Sequence, residues 1–201
     1  MRRAIALLLC LLASLPVLTA CGGKTPVSEE EILPVARALI ERSITVNDAF
    51  LGAGIPTTGE AFGEYLYADE AWEEEHNIHS VEDLLREVKA VYTDPVYNVL
   101  YLEAITKDGR RPPDYQNRSL PAKGILVHKD RIGWYGEDVT REFLYDTMRM
   151  TESSATTARV TLTVRITVEG HPAQERTLGI PLVLTESGWR CDKLTCIAYD
   201  S

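Results

Sequence analysis

The sequence predicts an α+β domain in which N-terminal helices pack on a curved antiparallel sheet. Three observations predict it. Apolar residues recur at a helical period through Val35–Asn47 and again through Val81–Val91. From Lys123 onward the period changes to two. In Arg159–Val168 the alternation is strict: Val160, Leu162, Val164, Ile166 and Val168 take one parity, while Arg159, Thr161, Thr163, Arg165 and Thr167 take the other. That pattern marks a sheet with one buried and one polar face. Helices first and a meander afterwards segregate the helices to one face of the sheet. A strongly twisted sheet of this kind curls around its helices and leaves a cone-shaped hollow between them.

In chain order, residues 1–20 have the parts of a secretory signal peptide: Arg2 and Arg3, an apolar run from Ala4 to Ala13, then small residues. The run is shorter than the roughly 20 apolar residues a membrane span needs. Leu18-Thr19-Ala20-Cys21 closes it. The segment resembles the bacterial lipoprotein signal, which implies that Cys21 is the lipid-attachment site and the first mature residue. A secreted protein cut after Ala20 and an uncut anchor helix are the alternatives. Gly22 follows the cysteine, where an aspartate would signal inner-membrane retention. Residues 21–27 then form a lipid-anchored tether, and residues 28–201 form one α+β domain, within the usual size of about 100–200 residues.

Ser28 with Glu31 reads as a capping box that opens a helix. Pro34 offers a second reading, in which the helix starts near Leu33. Either way Val35, Ala36, Leu39, Ile40, Ser43, Ile44 and Asn47 form a core-facing stripe, with Arg37, Glu41 and Arg42 off it. Gly52 to Gly59 reads as a loop. Ala61–Asp69 fits extended chain or a helical turn equally, and Ala71–Glu75 fits one turn of helix. Ser80 caps the next helix, which places Val81, Leu84, Leu85, Val88 and Val91 on one face. Thr93-Asp94-Pro95 restarts a helix containing Val96, Val99 and Leu100, stopped at Lys107-Asp108-Gly109. Arg110–Pro121 is a polar loop in which Asn117-Arg118-Ser119 matches the N-glycosylation pattern.

Gly124–His128 and Ile132–Gly136 are short strand candidates. Val139–Met150 alternates imperfectly, which predicts a bulge or burial on both faces. After Arg159–Val168, Glu169–Pro172 turns the chain. Leu178, Ile180, Leu182 and Leu184 alternate on the return, with Pro181 arguing for an edge or a bulge. Glu186-Ser187-Gly188 makes the last turn, and Trp189-Arg190-Cys191 closes the sheet.

Removing residues 1–20 takes two arginines from the 21 basic residues, leaving 19 against 30 acidic ones and a formal charge of −11. That balance argues against nucleic acid as a partner and against a basic patch that grips anionic lipid head groups. Cys191 and Cys196 lie five apart in a compartment that permits oxidation. A disulfide and two thiols packed as small hydrophobes both remain open.

The order of elements, with Glu186-Ser187-Gly188-Trp189-Arg190-Cys191-Asp192 as its ending, resembles the cystatin-like α+β roll, also called the nuclear transport factor two-like fold. Within it, Ser80-Val81-Glu82-Asp83-Leu84 leading to Val91-Tyr92-Thr93 resembles the cell-wall DL-endopeptidase inhibitor family. The resemblance implies a binding or inhibitory role toward a cell-wall hydrolase. No inhibitory residue of that family maps onto a position here.

The search for chemistry is short. His76 and His79 stand beside Glu73, Glu74 and Glu75, but the metalloprotease order is absent and a solvated acidic segment explains the run better. Enzymes of the ketosteroid-isomerase type on this fold use a carboxylate and a tyrosine. Asp138, Glu142, Tyr145 and Asp146 are of the right types, and nothing in their spacing selects them. His128 and His171 stand alone. Trp72, Tyr65, Tyr67, Trp134 and Tyr135 lie in or beside loops, where they close the ends of the roll or serve a binding surface. No catalytic residue, metal ligand or cofactor is assigned. The expectation is a non-enzymatic, lipid-anchored domain on the outer face of the cell membrane, with a cell-wall hydrolase or other extracytoplasmic protein as partner. A small-ligand carrier using the hollow is the second reading, and an acid–base enzyme the third.

Overall fold

The computed structural model describes residues 25–104, 114–119, 124–129 and 139–196. The signal segment, Cys21, Trp134, Tyr135 and Asp138 lie outside the described residues, as does the predicted stop at Lys107-Asp108-Gly109.

The first helix, α1 (Glu29–Phe50), begins at the capping box rather than at Leu33. Ser28 Oγ accepts the Glu31 N–H at 3.3 Å, and Glu31 Oε2 accepts the Ser28 N–H at 3.0 Å. Pro34 therefore sits inside the helix. Its missing N–H costs the bond to the Glu30 carbonyl, a loss that solvent at these two exposed residues makes up. Three shorter helices follow: α2 (Glu70–His76), α3 (Val81–Val91) and α4 (Asp94–Ala104). Asp69 caps α2 through the Ala71 N–H at 2.7 Å, and Ser80 caps α3 through the Asp83 N–H at 3.1 Å. Among the described residues no helix is long and apolar enough to cross a membrane.

The large sheet is the meander β5 (Val139–Ser153), β6 (Thr157–Val168), β7 (Gln174–Thr185) and β8 (Gly188–Cys191), antiparallel and in that spatial order. The broken alternation of β5 corresponds to register shifts between Leu144 and Arg149 and between Met150 and Glu152. Pro181 is not on an edge strand, because β7 lies between β6 and β8. Its carbonyl accepts the Asp192 N–H at 2.9 Å, just past the end of β8. In a strand the N–H and C=O of one residue point the same way. The proline nitrogen therefore faces the side where the neighbouring strand stops, and no bond to β6 is lost.

A second sheet departs from the single sheet expected. It comprises β1 (Thr57–Phe62), β2 (Tyr65–Ala68), β3 (Tyr115–Asn117) and β4 (Ile125–His128), in the order β1-β2-β4-β3. Thr57, Thr58 and Gly59, expected in a loop, are strand residues. All of β1 after Thr57 is exposed, so it carries no buried parity for periodicity to reveal. Asn117 of the glycosylation pattern does structural work: its Oδ1 accepts the Val81 N–H at 2.7 Å, and its amide donates to Glu82.

α1 lies against the large sheet and against α3. Ile32, Ala36, Leu39 and Ile40 of α1, Leu84, Val88 and Val91 of α3, and Val160, Leu162, Val164, Ile166, Ile180 and Leu182 of the sheet are all buried in one apolar cluster. Between α1 and the middle of the large sheet this cluster fills the space expected for a hollow, and a cavity remains at the C-terminal end of α1. Arg42 and Glu87 clamp α1 to α3 outside it, through bonds of 2.6 and 2.8 Å. Three residues assigned to buried stripes are exposed instead: Ile44, Val99 and Leu184. Leu184 lies at the turn end of β7, one residue from the hairpin.

Candidate functional site

At the C-terminal end of α1 a cavity of about 240 Å³ opens against the start of β5. Ile44 and Phe143 supply apolar wall, and Asp48, Arg141 and Cys196 supply polar groups. Asp48 is set by a close backbone approach: a side chain on Gly52 would stand 2.9 Å from the Asp48 Cα. Glycine thus lets the chain fold back after α1, where the Gly52 and Gly54 N–H groups both donate to the Asp48 carbonyl. Loss of solvent pushes the Asp48 carboxyl above its ordinary value, and the Arg141 guanidinium opposes that shift.

A buried polar knot underlies the cavity. Tyr92 Oη donates to Asn47 Oδ1 at 2.7 Å, and Asn47 Nδ2 donates to Thr195 Oγ1 at 2.8 Å. Thr195 Oγ1 donates to Ser43 Oγ at 2.5 Å, and Ser43 Oγ donates to the Ile40 carbonyl at 2.6 Å. All four side chains are buried. The knot fastens the segment after β8 to α1 and α3, and so positions Cys196 in the cavity wall. Burial and the two nearby thiols hold the Tyr92 hydroxyl well above the usual phenol range, with the bonds to Thr195 pulling the other way. The hydroxyl stays neutral and serves as a structural hydrogen-bonding group.

Apart from Cys196, the candidate residues singled out in the sequence do not converge on this cavity. Cys191 and Cys196 are both present as thiols, the first buried and the second half-buried. Burial pushes the Cys191 thiol up to about 12, so it behaves as a small hydrophobe. His76 stacks on Trp72 at 4.6 Å and bonds the Trp72 carbonyl, while His79 lies beyond the left-handed Asn77 that ends α2. The two imidazoles therefore do not share a helical face. Among the described residues no group of three or more His, Cys, Asp and Glu side chains is placed to hold a metal ion. Glu142 pairs with Arg165 at 2.7 Å on the exposed surface, Asp146 is exposed, and Arg37 covers the Tyr145 ring at 4.6 Å. These groups do not form an acid–base pair. Tyr65 is buried and bonded to Gln116, and Arg118 lies over Tyr67. Both belong to packing in the small sheet. Asp48 and Arg141 went unnoticed in the sequence because each is a lone charge that only the fold brings to one cavity.

Glu73 departs from the solvated acidic segment expected around it. Its side chain is buried, and Oε1 accepts the Ile125 N–H at 2.6 Å, which ties α2 to β4. Burial pushes its carboxyl up from 4.5; the bond to Ile125 and the charge of Arg118 pull the other way. The folded state thus keeps this proton to a higher pH than the unfolded chain does. Stability from this group is present below 4.5 and is lost as pH rises through the folded value. Glu73→Gln keeps an oxygen for Ile125 and removes the titration. Urea denaturation at a series of pH values is expected to show the variant gaining on the wild type as pH rises through that window. A constant difference across pH would contradict this.

No protein-family model matches the chain, and no curated protein matches it at a significant level.

Proposed function

We propose that this chain is a non-enzymatic binding domain, held on the outer face of the cell membrane by lipid on Cys21. The observation that carries the non-enzymatic reading is the occupied interior: the space in which a roll of this kind would keep a ligand or an acid–base pair holds buried aliphatic side chains instead. The cavity at the end of α1 falls below the roughly 300–1,000 Å³ usual for small-molecule pockets. The charge of Arg141 opposes the desolvation of its carboxyl, and among the described residues no histidine lines it. Its size suits one side chain of a protein partner, seated between Ile44 and Phe143. The resemblance of Ser80–Leu84 and Val91–Thr93 to the endopeptidase-inhibitor family makes a cell-wall hydrolase the partner of choice.

The test is a pull-down from solubilised membranes, with a Cys21→Ser control that remains unlipidated. Recovery of a peptidoglycan hydrolase whose activity falls when the domain is added supports the reading. Recovery of no hydrolase, together with a small molecule that co-purifies in stoichiometric amount, contradicts it in favour of a carrier.

A further inference from the structure

The chain is acidic, yet one groove gathers cations. It runs between the C-terminal turns of α3 and the β7–β8 turn, with a volume of about 460 Å³, and Arg86, Lys89 and Arg190 line it. The Arg190 guanidinium is held by three backbone carbonyls: Nε donates to Lys89 at 2.8 Å, Nη1 to Trp189 at 2.7 Å and Nη2 to Ser187 at 3.0 Å. Carbonyls fix the orientation of the fork and leave its positive charge uncompensated, and each Nη keeps one further N–H. Lys89 Nζ rests 4.5 Å from the centre of the Tyr97 ring. Neither Arg190 nor Lys89 forms an ion pair among the described residues. Arg86 is paired with Asp83 at 2.5 Å. Asp94 and Glu186 also line the groove and Asp83 neutralises Arg86, so Lys89 and Arg190 are the cations there without an ion pair among the described residues.

We propose that this groove binds a phosphate-bearing anion. A guanidinium already fixed in orientation loses little further freedom when it closes a two-point contact on an oxyanion. Lys89 lines the same groove and adds an ammonium whose donors a tetrahedral phosphate can use and a planar carboxylate uses less well. The same chemistry is offered by a soluble phosphate ester and by a lipid head group. The meander places the β7–β8 and β5–β6 turns at one end of the large sheet. The tether leaves from that end, because the Val27 N–H bonds the Ser154 carbonyl at 3.0 Å. Six residues separate Val27 from Cys21, a reach of at most about 20 Å. If Cys21 is lipidated, the groove lies at the end of the sheet that the tether holds near the head groups. That orientation rests on the anchoring proposed above, whereas the anion chemistry does not.

The test uses the full chain in non-ionic micelles, titrated calorimetrically with inorganic phosphate at low ionic strength. Saturable binding is expected, weakened about tenfold by Lys89→Gln and more by Arg190→Gln, with acetate binding about tenfold more weakly than phosphate. Because Arg190 also joins three segments, Lys89→Gln, at an exposed position, is the variant that keeps the test decisive if Arg190→Gln unfolds. Absence of saturable phosphate binding, or binding that neither substitution weakens, overturns the proposal. Vesicles of phosphatidylcholine with and without phosphatidylglycerol then identify the source. Preferential partition to the anionic vesicles, lost in Lys89→Gln, assigns the head group. Equal partition with phosphate binding intact assigns a soluble ester. Failure of lipidation at Cys21 leaves the phosphate titration unaffected, so the two readings fail separately.

Discussion

Replacing Asn47 with alanine is expected to lower the free energy of unfolding by about 2–4 kcal/mol, measured by urea denaturation. Asn47 bridges Tyr92 and Thr195 through both ends of its amide, from a buried position at the edge of the cavity. Truncation removes one partner from each of two buried hydroxyls, which keep only their mutual contact at 2.8 Å and the bonds to the Thr195 N–H and Ser43, and the two lost bonds and the space left by the amide each cost about 1–2 kcal/mol. The loss should fall on a defined region as well. Amide exchange of Leu194–Cys196 is expected to accelerate more than that of β6, because the knot fastens this segment while the ladder of β6 stands on its own contacts. Thr195→Val is expected to be destabilising alone, yet the double variant should cost less than the two losses added, since both act on one network. Strict additivity would show that the four side chains do not act as a unit.

Leu162→Ala is expected to cost about 2–5 kcal/mol, the usual range for truncating a fully buried leucine. Leu162 points from the middle of β6 toward the helices and is 1% exposed. This substitution also probes whether the interior is packed. In a filled core the missing atoms leave a dry cavity, and the variant should gain affinity for xenon or benzene that the wild type lacks. In a roll that already holds an open hollow, truncation would cost less than about 1 kcal/mol and create no new site.

Strands and helices that bury one regular face were legible from sequence. The five alternating aliphatics of β6 and the Ser80 cap before Val81 each specify their element through local chemistry. The small sheet was not legible, because its pairings are long-range and its strands short. Tyr115, the only buried residue of β3, is held by donating its hydroxyl to the Ala49 carbonyl far away in α1. Pro181 misled for a related reason: sequence shows the missing donor, but not which side of the strand it faces. Net charge says nothing of the groove at Arg190, where folding brings Arg86, Lys89 and Arg190 together from two distant segments. The cavity residues Asp48 and Arg141 were hidden in the same way. Ile44 has the spacing of the core stripe but is exposed, because a cavity separates that end of α1 from β5.

Under the proposal above, the domain is held by lipid on Cys21 and works through its surface, with aliphatic side chains packed between α1 and the large sheet. Native mass spectrometry of the protein extracted from its own membranes tests both halves at once. The predicted spectrum is a chain starting at Cys21, heavier by a diacylglyceryl group, with no apolar small molecule retained. A chain with an unmodified terminus, or a stoichiometric apolar ligand released only on denaturation, would contradict it.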